Sequence, residues 1–90
     1  MNHKKVYVEV TASFRPDGVI LPREIVWEDG RHYDIDRVSA ICQATSMKVG
    51  GQGDRYTIIV NGKPKYLFFE RNTRLTGNNI GRWFVEGRAQ

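Results

Sequence analysis

Two dipeptides, Asp29-Gly30 and Asn61-Gly62, constrain the fold of this chain more than any other feature. Each lies between two apolar, alternating stretches: Ile25–Glu28 and Arg31–Ile35 for the first, Tyr56–Val60 and Lys63–Phe69 for the second. Asp-Gly and Asn-Gly tolerate the positive φ of tight hairpin turns, so each pair predicts two antiparallel strands joined by a reversal. Arg15-Pro16-Asp17-Gly18 predicts another turn, with Pro16 suited to the second position and Gly18 to the unusual φ. Gly50-Gly51-Gln52-Gly53 predicts one more. Reversals at this spacing build an antiparallel all-β domain.

The stretches between the turns alternate as strands do. In Lys5–Phe14, Val6, Val8, Val10, Ala12 and Phe14 share one face, and Tyr7, Glu9, Thr11 and Ser13 share the other. The second strand, Val19–Glu28, is interrupted by Pro22, which cannot donate to a ladder and predicts a bulge or an edge. Tyr33 and Ile35 share a face, after which Val38, Ala40, Cys42 and Ala44 continue in the opposite parity; a bulge near Asp36-Arg37 would keep both sets inside. A short helix over residues 37–48, N-capped by Asp36, competes for that segment. Its hairpin neighbours favour the strand. Both faces of Tyr56–Val60 and Tyr66–Phe69 are apolar, which predicts a central pair covered on both sides. Trp83–Val85 forms the last strand. The expected fold is a small antiparallel barrel or strongly curved sheet of five to seven strands, SH3-like, with Trp27, Tyr33, Phe68 and Trp83 in one core.

Ninety residues make one domain, 1–90, with 1–4 and 87–90 expected to fray. A chain this short buries roughly 60–65% of its unfolded surface, enough for a core without a metal or disulfide. No apolar run reaches the roughly 18 residues of a membrane helix. The single cysteine, Cys42, has no intramolecular partner, and no signal-peptide pattern follows the basic start, so a cytoplasmic location is expected.

The net charge of +4 is unevenly spread. Residues 1–36 hold five basic residues against seven acids; residues 37–90 hold nine against three. A basic half favours acidic partners, nucleic acid first among them, although basic side chains also solubilise sheet edges.

The sequence from Trp27 to Val38, then Lys48-Val-Gly-Gly-Gln-Gly53 with Arg55-Tyr56-Thr57, then Tyr66–Glu70 and Arg82-Trp-Phe-Val-Glu86, resembles a family of short, uncharacterised bacterial proteins. These share W-x-D-G-R-x-Y-x-I-D-R-V, a glycine-rich turn before R-Y-T, and a C-terminal R-W-F-V-E. The resemblance covers nearly the whole chain and implies no activity. The chain departs from the family's pattern at Cys42–Thr45 and in the length of the 71–81 segment.

Nothing in the chain announces a reaction. His32, Asp34 and Asp36 stand at alternate positions, with Glu28 across the hairpin, where a divalent cation or acid–base work is conceivable. Carboxylates on a strand's wet face are more often solvated, so no metal or catalytic site is expected. Cys42 lacks a neighbouring base and is expected in the core. Gly50–Gly53 lacks the Gly-Lys-Ser/Thr ending of a phosphate loop and leads into a strand.

Aromatics interleaved with arginines are the remaining signal: Trp27, Tyr33, Tyr56, Tyr66, Trp83 and Phe84 with Arg31, Arg55, Arg71, Arg74 and Arg82. On a small β-barrel, bases stack on rings while guanidinium groups take phosphate. The expectation is a non-enzymatic binding module without a cofactor. Arg55, Arg71, Arg74 and Arg82 would engage single-stranded nucleic acid or an acidic protein. The alternative is a protein-interaction or structural module that pairs by a sheet edge or an aromatic patch.

Overall fold

The computed structural model describes residues 3–44, 53–71 and 79–88. They form seven strands: β1 (His3–Phe14), β2 (Ile20–Val26), β3 (His32–Asp34), β4 (Arg37–Ala44), β5 (Gly53–Val60), β6 (Lys63–Arg71) and β7 (Gly81–Arg88). All pair antiparallel in one sheet of order β3-β2-β1-β7-β6-β5-β4. The segment that could have been a helix is strand as far as Ala44; residues 45–48 lie outside the described residues.

One consequence of this order shapes the molecule. The two edge strands, β3 and β4, are consecutive in the chain and separated only by Ile35 and Asp36. In a flat sheet, six strand spacings would hold the edges roughly 29 Å apart. Two residues span only about 7 Å. The sheet therefore curls until its two edges approach at this link without pairing, giving a half-barrel. The hydrogen bonds record the crossing: the Ile35 amide donates to the Arg23 carbonyl (2.9 Å), and the next amide, Asp36, donates to the Ile59 carbonyl (2.7 Å). The parity shift legible near Asp36-Arg37 is this transfer from one ladder to another. The bulge in β4 comes later, at Ser39, between the pairs Val38↔Ile58 and Ala40↔Thr57. That extra residue turns Ile41 to the side of Val38 and turns Cys42 outward. Cys42 is accordingly exposed, not in the core as its alternation suggested.

The turns divide into two kinds. At Arg15–Gly18 and Trp27–Gly30, the glycine amide donates back to the carbonyl three residues earlier (2.9 Å in both), and only the glycine has positive φ, +89° and +86°. Each is a three-residue loop with the aspartate one place before the glycine. The aspartate carboxylate accepts from the amide two residues on, Val19 (3.1 Å) and Arg31 (2.9 Å). Asn61 and Gly62 both have positive φ, 52° and 77°, and join Val60 directly to Lys63, the two-residue hairpin expected of Asn-Gly. Pro22 sits beside a bulge: Thr11 pairs with Glu24 and Ala12 with Pro22, leaving Arg23 unopposed.

The inner face carries the core: Ile25, Tyr56, Ile58, Val60, Leu67 and Phe69, with Trp27, Tyr33 and Trp83 packed against it. The Tyr56 hydroxyl crosses the interior to donate to the Ile20 carbonyl (2.7 Å). Burial raises its pKa, the Asp54 carboxylate adds to the rise, and Arg71 opposes it. Phe68 does not join Trp27, Tyr33 and Trp83. It is buried on the opposite, outer face, against Phe84. Phe14 has the expected parity but is 67% exposed, because its pair with Ile20 ends the ladder beside the turn. The β1–β7 ladder reaches His3↔Arg88, further toward both termini than the charged ends of the sequence suggested.

Candidate anion-binding face

The outer face is built from alternate residues of five neighbouring strands. Register places Cys42, Arg55, Phe68, Phe84 and Tyr7 in one row across β4, β5, β6, β7 and β1. Phe68 and Phe84 are 3% and 0% exposed and fill the centre of this row. Tyr7 meets the edge of Phe84 at 5.9 Å between centroids. Tyr7 and Tyr66 remain 40% and 53% exposed at the two sides.

A guanidinium lies over each of these exposed rings. Arg82 stands 4.0 Å from the Tyr7 centroid and Arg55 stands 4.6 Å from that of Tyr66. At the Tyr7–Arg82 side, Glu70 organises the cations. It bonds the Lys5 ammonium, accepts from the Tyr7 hydroxyl (3.0 Å) and pairs with Arg82 (3.3 Å). The Lys5 bond, first, and the Tyr7 and Arg82 contacts after it hold the Glu70 carboxyl below its usual range against the opposing effect of partial burial. Lys5 also lies 5.2 Å from the Phe84 centroid, so the Lys5–Glu70 pair straps that ring. Arg55 enters no salt bridge among the described residues, and its Nε is buried without an acceptor.

The four arginines singled out in the sequence do not form one patch. Arg55 and Arg82 share the outer face. Arg71 has the opposite parity and pairs with Asp54 at the end of the barrel (2.9 Å), beside an opening of about 420 Å³ bordered by Ile20, Ile41, Tyr56 and Phe69. Arg74 lies outside the described residues. Lys5, Tyr7 and Glu70 were not legible as members of the face, since strands so distant in sequence meet only through register. The sole hint was the position of Lys5 and Tyr7 on the wet parity of β1.

The His32–Asp34–Asp36 face is also divided. His32 Nδ1 lies 3.3 Å from Glu24, which is the cross-strand partner of Asp34; Glu28 is not. Asp36 turns to the other ladder, where its carboxylate accepts from the Gly62 amide (3.2 Å) and braces the β5–β6 turn.

No family model, curated protein or solved structure matches this chain.

Proposed function

We propose that this domain is a non-enzymatic binding module for an anionic polymer, with single-stranded nucleic acid as the partner and the outer face as its platform. The observation that carries the reading is the pairing of half-exposed rings with guanidinium planes, Tyr66 with Arg55 and Tyr7 with Arg82, on one continuous face. Bases stack on such rings and planes, and the guanidinium N–H groups donate to phosphate. Arg55 carries no carboxylate partner among the described residues, which leaves its charge for a ligand; Arg82 shares Glu70 with Lys5.

Fluorescence anisotropy with labelled single-stranded oligonucleotides tests this. Binding at low salt is expected with Kd roughly 10⁻⁴–10⁻⁶ M, weakening as salt rises. Replacing Arg55 and Arg82 by Ala should weaken it for all sequences alike and flatten the salt slope. Absence of binding even near about 20 mM salt would overturn the reading.

The β4 edge supports a second reading, a module that adds a partner's strand. After Arg37 this edge strand carries no charged residue, and Ile41, Cys42 and Gln43 are exposed. Uncharged edges are open to strand addition. Concentration-dependent self-association in sedimentation velocity, abolished by Ile41→Lys, would favour it; a monomer at all concentrations would remove self-pairing as its form.

A further inference from the structure

The barrel end opposite the Arg71–Asp54 pair holds a second cleft of about 370 Å³, within the range of small-molecule sites. Its floor is the end of the core: Ile25, Val60 and Val85. Trp27 and Tyr33 form an aromatic wall, each half-buried, and Lys63 and Lys65 form the rim. We propose that this cleft binds a small aromatic anion, a flat ring system carrying a carboxylate or a similar oxyanion. This site is separate from the outer face and does not depend on the reading given above for it.

The place of the two lysines in the cleft carries the argument. Lys63 and Lys65 pair with Val60 and Ile58, so they stand on the inward side of β6, in line with Leu67 and Phe69. The inward positions at the middle of this strand, Leu67 and Phe69, are buried and apolar, and the inward positions at its other end close with Arg71. β7 pairs with β6 only from Phe68 to Arg71, so at Lys63 and Lys65 β6 is unpaired on its β7 side, where inward charges also guard an open edge. What points to a ligand is that both lysines line an apolar, aromatic-walled cleft. Neither lysine enters an ion pair among the described residues, and no carboxylate lines the cleft. The Asp36 carboxylate, which accepts from the Gly62 amide, is not part of the cleft's lining. Lysine stems can wall an apolar cleft while their ammonium groups stay at its wet rim. The result is a flat aromatic and aliphatic slot under two positive charges of the same sign. A ring with one anionic substituent complements both parts at once, which a neutral ring or a cation does not.

The test is a ¹H–¹⁵N titration of the full chain with three probes of one shape: 2-naphthoate, 2-naphthamide and 2-naphthylmethylammonium. The two tryptophans give a built-in comparison, because Trp83 is packed between Tyr56 and Phe69, at 5.1 and 4.8 Å, away from the cleft. Naphthoate should move the Trp27 indole N–H and the amides of residues 60–65 saturably, leaving the Trp83 indole N–H in place. The amide should bind roughly tenfold more weakly and the ammonium more weakly still, the size expected when two partly exposed charge contacts are lost. Lys63→Gln with Lys65→Gln should reduce naphthoate to the level of the amide while leaving amide binding unchanged; both side chains are exposed, so the fold survives the change. Equal binding of the three probes, shifts scattered over the surface, no saturable shift at Trp27, or full naphthoate binding by the double variant would each overturn the proposal.

Discussion

Phe68 and Phe84 lie face to face on the outside of the curled sheet, 5.1 Å between ring centroids and 11° between planes, and both are buried. They form a second apolar cluster, separated from the inner core by the sheet itself. Phe84→Ala should therefore cost about 3–5 kcal/mol, as for a core phenylalanine. Tyr66→Ala, on the same face but 53% exposed, should cost no more than about 1 kcal/mol. Urea unfolding of the two variants measures both; equal midpoints would contradict the assignment.

Gly30 has φ +86° and nothing within 4 Å of where a Cβ would sit. Its requirement is conformational, not steric. Gly30→Val should cost on the order of 1–2 kcal/mol through the left-handed backbone alone. An unchanged urea midpoint would show that the loop relaxes to another turn.

Gly81 is the contrasting case. A Cβ there would approach the Glu70 carbonyl oxygen and the Phe69 ring, both at 2.5 Å, at a φ of +155°. Gly81→Ala should destabilise by more than Gly30→Ala, because backbone and ring must move apart. Thermal melts of the pair decide this; a smaller loss at Gly81 would mean that β7 shifts at little cost.

Glu70 links stability to pH. Its folded pKa is lowered, chiefly by Lys5, so the unfolded chain takes up a proton at higher pH than the native one. Its contribution is present above the unfolded carboxylate value, about 4.3, and is lost as pH falls through the lower folded value. Glu70→Gln should thus be less stable than the wild type near neutral pH, with the gap closing in acid and shrinking with added salt. A gap independent of pH between neutral and acid conditions would show that Glu70 acts through packing instead.

Arg71 provides the internal control for binding. It points to the barrel end and pairs with Asp54, whose side chain is 16% exposed. Arg71→Ala should leave oligonucleotide affinity close to wild type, while Arg55→Ala with Arg82→Ala reduces it. Equal losses from the two would place the ligand across the barrel end and not on the outer face.

Cys42, carried outward by the Ser39 bulge, should react with a thiol reagent in native buffer as completely as in urea. A protected thiol would mean the bulge is absent in solution.

The sequence by itself determined the class of fold, because its signals are local. Asn61-Gly62 and Asp29-Gly30 fix reversals through backbone sterics, and the alternation in β5 and β6 marks strands, although the cover expected on both faces is incomplete: Phe68 is buried on the outer side while Tyr66 beside it is 53% exposed. Pro22 marked a bulge for the same reason, a missing donor within one strand. Three matters were decided only by the tertiary structure. The bulge at Ser39 carries no residue-level signature, so Cys42 read as core although it faces outward. Phe68 read as a partner of Trp83, since alternation states that a residue faces one side of a sheet but not which side closes on itself. The arginines read as one basic half, yet Arg55 and Arg82 share a face and Arg71 does not. Net charge sums along the chain, whereas a binding surface depends on which strands become neighbours. That pairing is long-range, β1 with β7 above all, and once it is set the two-residue link between β3 and β4 can join opposite edges of the sheet only by curling it.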